Sequence, residues 1–354
     1  LRFPSFEGEW EVKKLGEIST FYSGGTPLTS KREYFDGDIP FIRSGEINSD
    51  KTEQFISELG LKNSSAKLVE VGDILYALYG ATSGEVGICK LNGAINQAVL
   101  CIKSNENHYF LFSYLRDKKE SITNTFLQGG QGNLSADIVK KIELYIPSIK
   151  EQTKISSFLS KIDERIQTQS KIINDLKTLK TATAKKIFSQ ELRFKDDKGN
   201  EFLEWENNLL GDTLDYEQPT NYLVSSTEYD DSFETPVVTA GKTFILGYTD
   251  DKNGVFEKEK LPVIIFDDFT TASQFVDFPF KAKSSAMKIL KAKNDTNIRF
   301  IFEALQMINY EVGGHGRHWI SVFSNLNIYV PSLPEQNKIA NFLSSIDSKI
   351  DIET

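Results

Sequence analysis

The chain has 354 residues, with 41 Lys or Arg and 50 Asp or Glu, so its formal net charge is −9. Its 39% hydrophobic and 26% charged residues argue against global disorder, and its length corresponds to about two domains. Apolar runs such as 263–266 are far shorter than the roughly 20 residues of a membrane span, and the start lacks the apolar segment of a secretory signal.

Short apolar runs bounded by turn residues predict strands in both halves of the chain. The runs are 39–42, 73–77, 98–102, 236–239 and 263–266. Helical patterns lie near 109–118 and 298–308. The mixture predicts an α+β fold. Cys89 and Cys101 lie in apolar stretches without metal-binding spacing, so we expect buried free thiols in a reducing cytoplasm.

An internal two-fold pseudo-repeat organises the chain. Residues 144–166 match residues 328–350 at an offset of 184, with 13 of 23 positions identical. Upstream, the opening segment with Arg2 and Trp10 recurs with Arg193 and Trp205. Glycine-rich turns at 129–132 and 313–316 precede each block, whereas the bodies between these landmarks differ. A shared frame with different interiors indicates one common role for the frame and separate roles for the bodies.

Each repeat continues into a helix with an apolar stripe at the 4-3 spacing of a coiled coil. The predicted seam consists of Ile155, Leu159, Ile162, Ile166, Ile173 and Leu176 in the first helix and Ile339, Leu343, Ile346 and Ile350 in the second. Gln169 interrupts the first stripe. Because a lone helix cannot bury such a stripe, we expect the two helices to pair. The second stripe stops in mid-pattern at Thr354, which indicates that the native chain continues.

These landmarks divide the chain into four predicted segments. They are a first globular domain at 1–148, a first spacer helix at 149–192, a second globular domain at 193–332 and an apparently truncated second spacer helix at 333–354. The net charge is −3 over 1–149, +6 over 150–195 and −12 over 196–354. The basic surplus is therefore confined to the first helix, and the overall acidity does not by itself exclude a nucleic-acid partner.

No convincing catalytic or metal-binding pattern is present in the sequence. Gly241-Lys242-Thr243 lacks the upstream glycine of a phosphate-binding loop, because residue 236 is proline. Asp267 and Asp268 follow a strand and point to opposite faces, so we interpret them as loop-anchoring residues rather than metal ligands. The three histidines suggest no nucleophile–base arrangement. A binding protein or scaffold is favoured over an enzyme, although an unusual active site stays open.

What remains is contact chemistry suited to DNA, namely glycine-rich loops beside Arg, Lys, His, Gln, Ser and aromatic side chains. The candidates in the first half are Ser23, Gly24, Gly25, Thr26, Lys31, Arg32, Tyr34, Arg43, Gln128, Gln131 and Asn133. Those in the second half are Lys242, Tyr248, His315, Arg317, His318 and Trp319. The alternative for each is a solvated surface loop.

The two-copy layout, the blocks at 144–166 and 328–350, and the long helix between bodies resemble the specificity subunit of Type I restriction-modification systems. The stretches 23–27, 93–98 and 265–268 look like pieces of that family's target-recognition domains. The resemblance implies two target-recognition domains held apart by an antiparallel coiled coil of conserved helices, each reading one half of a split, asymmetric site in double-stranded DNA. The short second helix departs from this pattern.

The resemblance also implies a subunit without catalysis or a cofactor of its own. Two adenine methyltransferase subunits would dock on it, and ATP-driven restriction subunits would join through them. S-adenosylmethionine, ATP and magnesium would belong to those partners, and no membrane is involved. Two other classes stay open, namely a scaffold that has lost sequence reading and an enzyme with a degenerate motif.

Overall fold

The structure, a computed structural model, describes residues 2–126, 133–293, 295–310 and 316–354. The chain divides into two compact units, Leu1–Gln167 and Thr168–Thr354. Within the described ranges, no helix combines the length and the apolar composition needed to cross a membrane. Both cysteines are buried and unpaired, as predicted.

Unit 1 combines short strands with short helices. Its strands are β1 (Glu11–Lys14), β2 (Ser19–Ser23), β3 (Ile39–Ile42), β4 (Phe55–Ile56), β5 (Lys67–Val69), β6 (Ile74–Ala77), β7 (Val86–Ile88), β8 (Gly93–Ile95), β9 (Val99–Ser104) and β10 (Glu143–Ile146). Its helices are α1 (Leu15–Ile18), α2 (Glu58–Lys62), α3 (His108–Asp117), α4 (Lys119–Phe126), α5 (Ala136–Lys140) and the first part of α6 (Ile149–Phe188). Single 3₁₀ turns lie at Arg32–Tyr34, Ser44–Glu46 and Gly80–Thr82.

Unit 2 is built from the same kinds of element. Its strands are β11 (Glu206–Leu209), β12 (Leu214–Glu217), β13 (Thr235–Val238), β14 (Ile245–Thr249), β15 (Val263–Asp267), β16 (Ser273–Val276), β17 (Lys281–Ala282), β18 (Met287–Ala292) and β19 (Asn327–Val330). Its helices are the second part of α6, α7 (Leu210–Thr213), α8 (Ile298–Gln306) and α9 (Leu333–Glu353). Further 3₁₀ turns lie at Pro219–Tyr222, Lys258–Lys260 and Phe323–Asn325.

The two units share a sheet plan. The antiparallel order β2-β9-β6-β7 in unit 1 corresponds to β12-β18-β15-β16 in unit 2. The parallel pair β3-β8 corresponds to β13-β17, and the two-stranded sheet β1-β10 corresponds to β11-β19. The pseudo-repeat found in the sequence is thus a repeat of topology, and it confirms the predicted α+β class.

The repeated frame residues lock each long helix to its own unit. Arg2 makes two bonds of 2.7 Å with Glu151, and Arg193 bonds Glu335 at 3.3 and 3.0 Å. The Arg2 bond lowers the pKa of the Glu151 carboxyl against the opposing effect of burial. The following glutamine, Gln152 in unit 1, donates to Pro147 O at 2.9 Å and accepts from a loop amide. The repeated sequence blocks are therefore explained by a shared task, which is to attach the start of each long helix to its own unit.

Helix α6 ends at Phe188, before the predicted residue 192. The amides of Ser189 and Gln190 bond back to Lys185 and Ile187, and Gln190 takes a left-handed conformation with φ 62°. The Leu192 amide then bonds to Lys186 O at 3.0 Å. This is the pattern of a helix C-terminus closed by a left-handed residue.

Within unit 2, α6 and α9 pack against each other in antiparallel directions. Gln169 donates to Glu353 O at 2.8 Å, and Lys180 bonds Asp347 at 2.8 Å. Further along, Ala184 and Ile187 share a buried cluster with α9. Of the predicted seam, Ile339, Leu343 and Ile346 are buried, while Ile173, Leu176 and Ile350 are half-buried.

Two predicted seam residues, Ile162 and Ile166, are exposed in this structure, with exposed fractions of 41% and 57%. These residues precede Gln169, the position reached by the last residues of α9. Ile155 and Leu159 are half-buried and line an open groove of about 420 Å³ in unit 1 with Trp10. In unit 2 the corresponding space beside Trp205 is filled by α6. For this reason Ile339 and Leu343 are buried, whereas their counterparts Ile155 and Leu159 are only half-buried.

Candidate nucleic-acid interface

The glycine turn after β2 is a packing feature rather than an anion cradle. A Cβ on Gly24 would lie 1.7 Å from Ile95 O, so this position requires glycine for close approach of two backbones. The Gly24 amide already donates to Asn96 O at 3.2 Å. Gly25 is buried, while Ser23 and Thr26 are exposed. The Gly24 amide is therefore occupied within the fold, which argues against its predicted role in binding phosphate, whereas the role of Gly25 stays a prediction.

Lys31 and Arg32 lie on the surface at the start of a 3₁₀ turn, as the DNA-contact prediction requires. The Lys31 ammonium donates to the Tyr34 hydroxyl at 3.2 Å and lies 5.1 Å from the centre of its ring. Tyr34 itself is only 7% exposed. Its predicted direct contact is corrected, because it packs inward and supports Lys31 instead.

Arg43 is held by two carboxylates. Its guanidinium bonds Glu46 at 2.9 and 3.1 Å and Glu53 at 3.0 Å, and these bonds raise the pKa of Arg43. Burial opposes ionisation of Glu46, but the Arg43 side chain and two backbone amides lower its pKa to about 2. With its charge compensated on both sides, Arg43 braces the 43–53 loop and is a poor phosphate ligand in this arrangement.

In unit 2, Lys242 and Tyr248 belong to the β13–β14 hairpin. The turn is closed by the Thr239 amide donating to Phe244 O at 2.9 Å and by the Gly241 amide donating to Thr239 Oγ1 at 2.8 Å. Lys242 is exposed at its tip, and Tyr248 is half-buried on β14 opposite Pro236. The hairpin therefore exposes one positively charged side chain, Lys242, on a turn that is closed by its own hydrogen bonds.

The described residues that follow the two glycine-rich segments lie at the same point of the sheet plan in each unit. Gln128, Gln131 and His315 lie outside the described residues, and Asn133 is exposed. After these segments, the Leu134 amide donates to Leu78 O at 2.8 Å, and the His318 amide donates to Asp268 O at 2.9 Å. Leu134 and His318 differ by the repeat offset of 184, and their acceptors directly follow β6 and β15. These two bonds to the sheet are thus part of the shared frame.

His318 and Trp319 anchor the turn at 316–325 and do not lie on its surface. They are 6% and 1% exposed, and the Trp319 ring packs on Phe266 with centroids 5.4 Å apart. The Trp319 amide donates to Asp268 Oδ1 at 2.8 Å. Their predicted direct contact with DNA is therefore corrected to an anchoring role. The interpretation of Asp267 and Asp268 as loop anchors is confirmed, because Asp267 also accepts two amides of its own turn.

Arg317 and Ile320 are the exposed residues directly before and directly after this anchored pair. Arg317 is exposed and forms no ion pair with any described residue, whereas Ile320 is 58% exposed. Sequence reasoning missed Ile320, because an isolated isoleucine beside tryptophan predicts core. Only the inward direction of Trp319 shows that its neighbour must point outward.

No group of three His, Cys, Asp or Glu side chains in the described part of the chain could hold a metal ion. The remaining interface candidates are polar, cationic and aliphatic side chains on the surfaces of the two units. Those that the structure leaves exposed are Ser23, Thr26, Lys31, Arg32, Asn133, Lys242, Arg317 and Ile320.

Comparisons with known proteins agree with the repeated architecture. The family described as Type I restriction modification DNA specificity domain matches residues 7–178 and 203–354. The EcoR124I/EcoR124II specificity subunit of Escherichia coli is 47% identical over 145 residues, which are 38% of this chain and 36% of that protein. The MjaIX specificity subunit of Methanocaldococcus jannaschii is 29% identical over 231 residues, 60% of this chain and 53% of that protein.

The matched stretches therefore span between about a third and a half of these curated relatives. A solved structure of a Type I restriction-modification S subunit from M. genitalium has a TM-score of 0.72 at 17% identity. It covers 99% of this chain and 93% of that chain. This likeness concerns the fold, and it agrees with two α+β bodies joined by long helices.

Proposed function

The chain belongs to the Type I restriction modification DNA specificity domain family, and from this membership we propose that it reads a split, asymmetric site in double-stranded DNA. Each unit reads one half of the site with its own surface turns. The observation that carries this proposal is the duplicated frame with different exposed side chains. Leu134 and His318 bond to the same place in the sheet plan, yet the residues directly before them, Asn133 and Arg317, differ in chemistry.

The exposed cations supply two kinds of contact. Lys31, Arg32 and Lys242 suit phosphate oxygens, which position a protein on DNA without reading its sequence. The planar guanidinium of Arg317 has paired N–H donors that match the O6 and N7 acceptors of guanine in the major groove. Because the basic surplus is only +6 and lies in residues 150–195, DNA binding by the isolated chain is weak and falls with salt.

The chain supplies recognition and its partners supply chemistry. We propose that two adenine methyltransferase subunits dock on it and that ATP-dependent restriction subunits join through them. S-adenosylmethionine, ATP and magnesium are then cofactors of the partners, and the complex works in the cytoplasm. The E. coli and M. jannaschii relatives are named as specificity subunits of Type I restriction enzymes, which supports a non-catalytic role here.

Helix α6 is proposed to set the gap between the two half-sites. It is continuous over 40 residues, Ile149–Phe188, which corresponds to a length of about 60 Å. Two readers on one duplex must keep a fixed helical phase, so a helix without Pro or Gly is a suitable spacer.

The test is co-expression with a methyltransferase partner followed by genome-wide mapping of adenine methylation. We expect methylation at one split motif. Exchange of residues 200–328 for the corresponding body of another family member should change one half of that motif and leave the other half intact. A change in both halves would contradict the two-reader proposal. Methylation without any motif would favour a scaffold, and methylation by the purified chain alone would favour an enzyme.

A further inference from the structure

A fully buried ion pair lies at the end of the four-stranded sheet β12-β18-β15-β16 of unit 2. Asp268 directly follows β15 and Lys288 lies on the adjacent β18; each side chain is 1% exposed. The Lys288 ammonium is 3.3 Å from Asp268 Oδ2. Burying two charges is costly, and apolar residues of similar volume often stabilise a fold equally well. The pair therefore calls for an explanation other than stability.

Asp268 holds two successive residues of the turn that follows the glycine-rich segment. Its Oδ1 accepts the Trp319 amide at 2.8 Å, and its backbone oxygen accepts the His318 amide at 2.9 Å. The His318 ring nitrogen Nδ1 also lies 3.0 Å from that oxygen, which places its proton on Nδ1. Lys288 fixes the other carboxylate oxygen, so the orientation of Asp268 is determined from both sides.

The turn held in this way, residues 316–325, is closed by its own bonds. The Ser321 hydroxyl donates to Arg317 O at 2.6 Å, and the Val322 amide donates to His318 O at 3.0 Å. Asn325 Nδ2 donates to Ile320 O at 3.2 Å. A closed turn with two anchored residues at its centre fixes the direction of the exposed residues on either side, Arg317 and Ile320.

We propose that Asp268 and Lys288 are positioning residues for DNA reading by unit 2. They hold the 316–325 turn so that Arg317 and Ile320 face base edges, where Arg suits guanine and an aliphatic group suits the thymine methyl. This inference rests on the proposed function. In unit 1 the acceptor of the corresponding amide is Leu78, which has no carboxylate, so the effect is confined to the half-site read by unit 2.

The test uses the chain in complex with its methyltransferase partner. The double variant Asp268→Leu/Lys288→Met removes both buried charges and the side-chain bond to the turn while keeping apolar volume. The matched control, Asp215→Leu/Lys293→Met, removes a pair beside the same sheet whose charged atoms are 3.4 Å apart and whose side chains are 70% and 36% exposed. Methylation rates are measured on duplexes that carry each single-base change in each half-site.

We expect the double variant to lose at least tenfold in discrimination at positions of the second half-site. Discrimination in the first half-site should stay within twofold of the wild type, and the control should match the wild type in both. The thermal midpoint of the double variant should stay within a few degrees, since neutral apolar pairs replace buried ion pairs well. Unchanged discrimination, or an equal loss in both half-sites, would overturn the inference.

Two surface variants keep the proposal testable if the buried variant does not fold. Arg317→Gln and Ile320→Ala should each relax discrimination at one or two positions of the second half-site without a shift in thermal midpoint. If both leave discrimination unchanged, the turn does not read bases and the inference fails. If the wild-type complex shows no split motif, the proposed function fails first, and the inference fails with it.

Discussion

Removal of the Arg193 guanidinium should destabilise unit 2 by about 4 kcal/mol, because it leaves a buried carboxylate without its partner. Glu335 is 0% exposed at its side chain, and Arg193 is 16% exposed. The guanidinium also donates to Leu203 O at 2.6 Å and to Phe202 O at 3.3 Å, so Arg193→Met leaves these two carbonyls unpaired as well. Loss of one partner of a buried pair costs about 3–5 kcal/mol.

The assay is urea and thermal unfolding followed by tryptophan fluorescence in a Trp10→Phe background. The remaining tryptophans, Trp205 and Trp319, are both in the core of unit 2 and report its unfolding. At about 2–4 °C per kcal/mol for a unit of this size, Arg193→Met should lower the midpoint by about 10 °C. The matched control is Lys195→Met, whose pair with Glu201 is exposed by 58% and 65% and should cost below about 1 kcal/mol.

The double variant Arg193→Met/Glu335→Gln separates the lost attraction from the cost of the stranded charge. Because it removes the buried charge together with its partner, it should recover most of the loss seen in Arg193→Met. The reasoning would be refuted if Arg193→Met cost no more than the Lys195 control. It would also be refuted if the double variant cost the sum of Arg193→Met and Glu335→Gln.

Three further predictions follow from α6 and from the surface loops. Insertion of one heptad after Gln169 lengthens α6 by about 10 Å, close to the rise of three base pairs, so the gap in the methylated motif should widen; an unchanged gap would exclude the spacer role. Phe188→Ala should destabilise unit 2 by about 2–4 kcal/mol in urea unfolding, because its ring packs 5.4 Å from Phe300 and 6.3 Å from Trp205; a loss below 1 kcal/mol would contradict this packing. Since Glu46 has a pKa of about 2 against an ordinary 4.5, its stabilisation is complete above pH 4.5 and is lost as the pH falls towards 2. The difference in unfolding free energy between wild type and Arg43→Met should shrink over that interval, and a constant difference would exclude the linkage.

Some strands and the long helices could be predicted from the sequence, because local patterns determine them. The strands at 39–42 and 263–266 and the helix that begins near 150 were readable from apolar runs and helix-start signals. The internal repeat was equally visible, because the buried carboxylates Glu151 and Glu335 each pair with an arginine of their own unit. Because both units need the same ion pair, both copies of the sequence keep its two residues.

The direction of each surface side chain could not be predicted, because it depends on contacts between residues distant in the sequence. Trp319 turns inward because Asp268, 51 residues earlier, accepts its amide, and that places Ile320 outside. Gly24 is used for close packing against Ile95 rather than for binding. Arg43 carries a charge that two glutamates compensate. Local pattern thus determined the two-copy architecture, whereas tertiary packing alone decided which side chains of each copy are available to a partner.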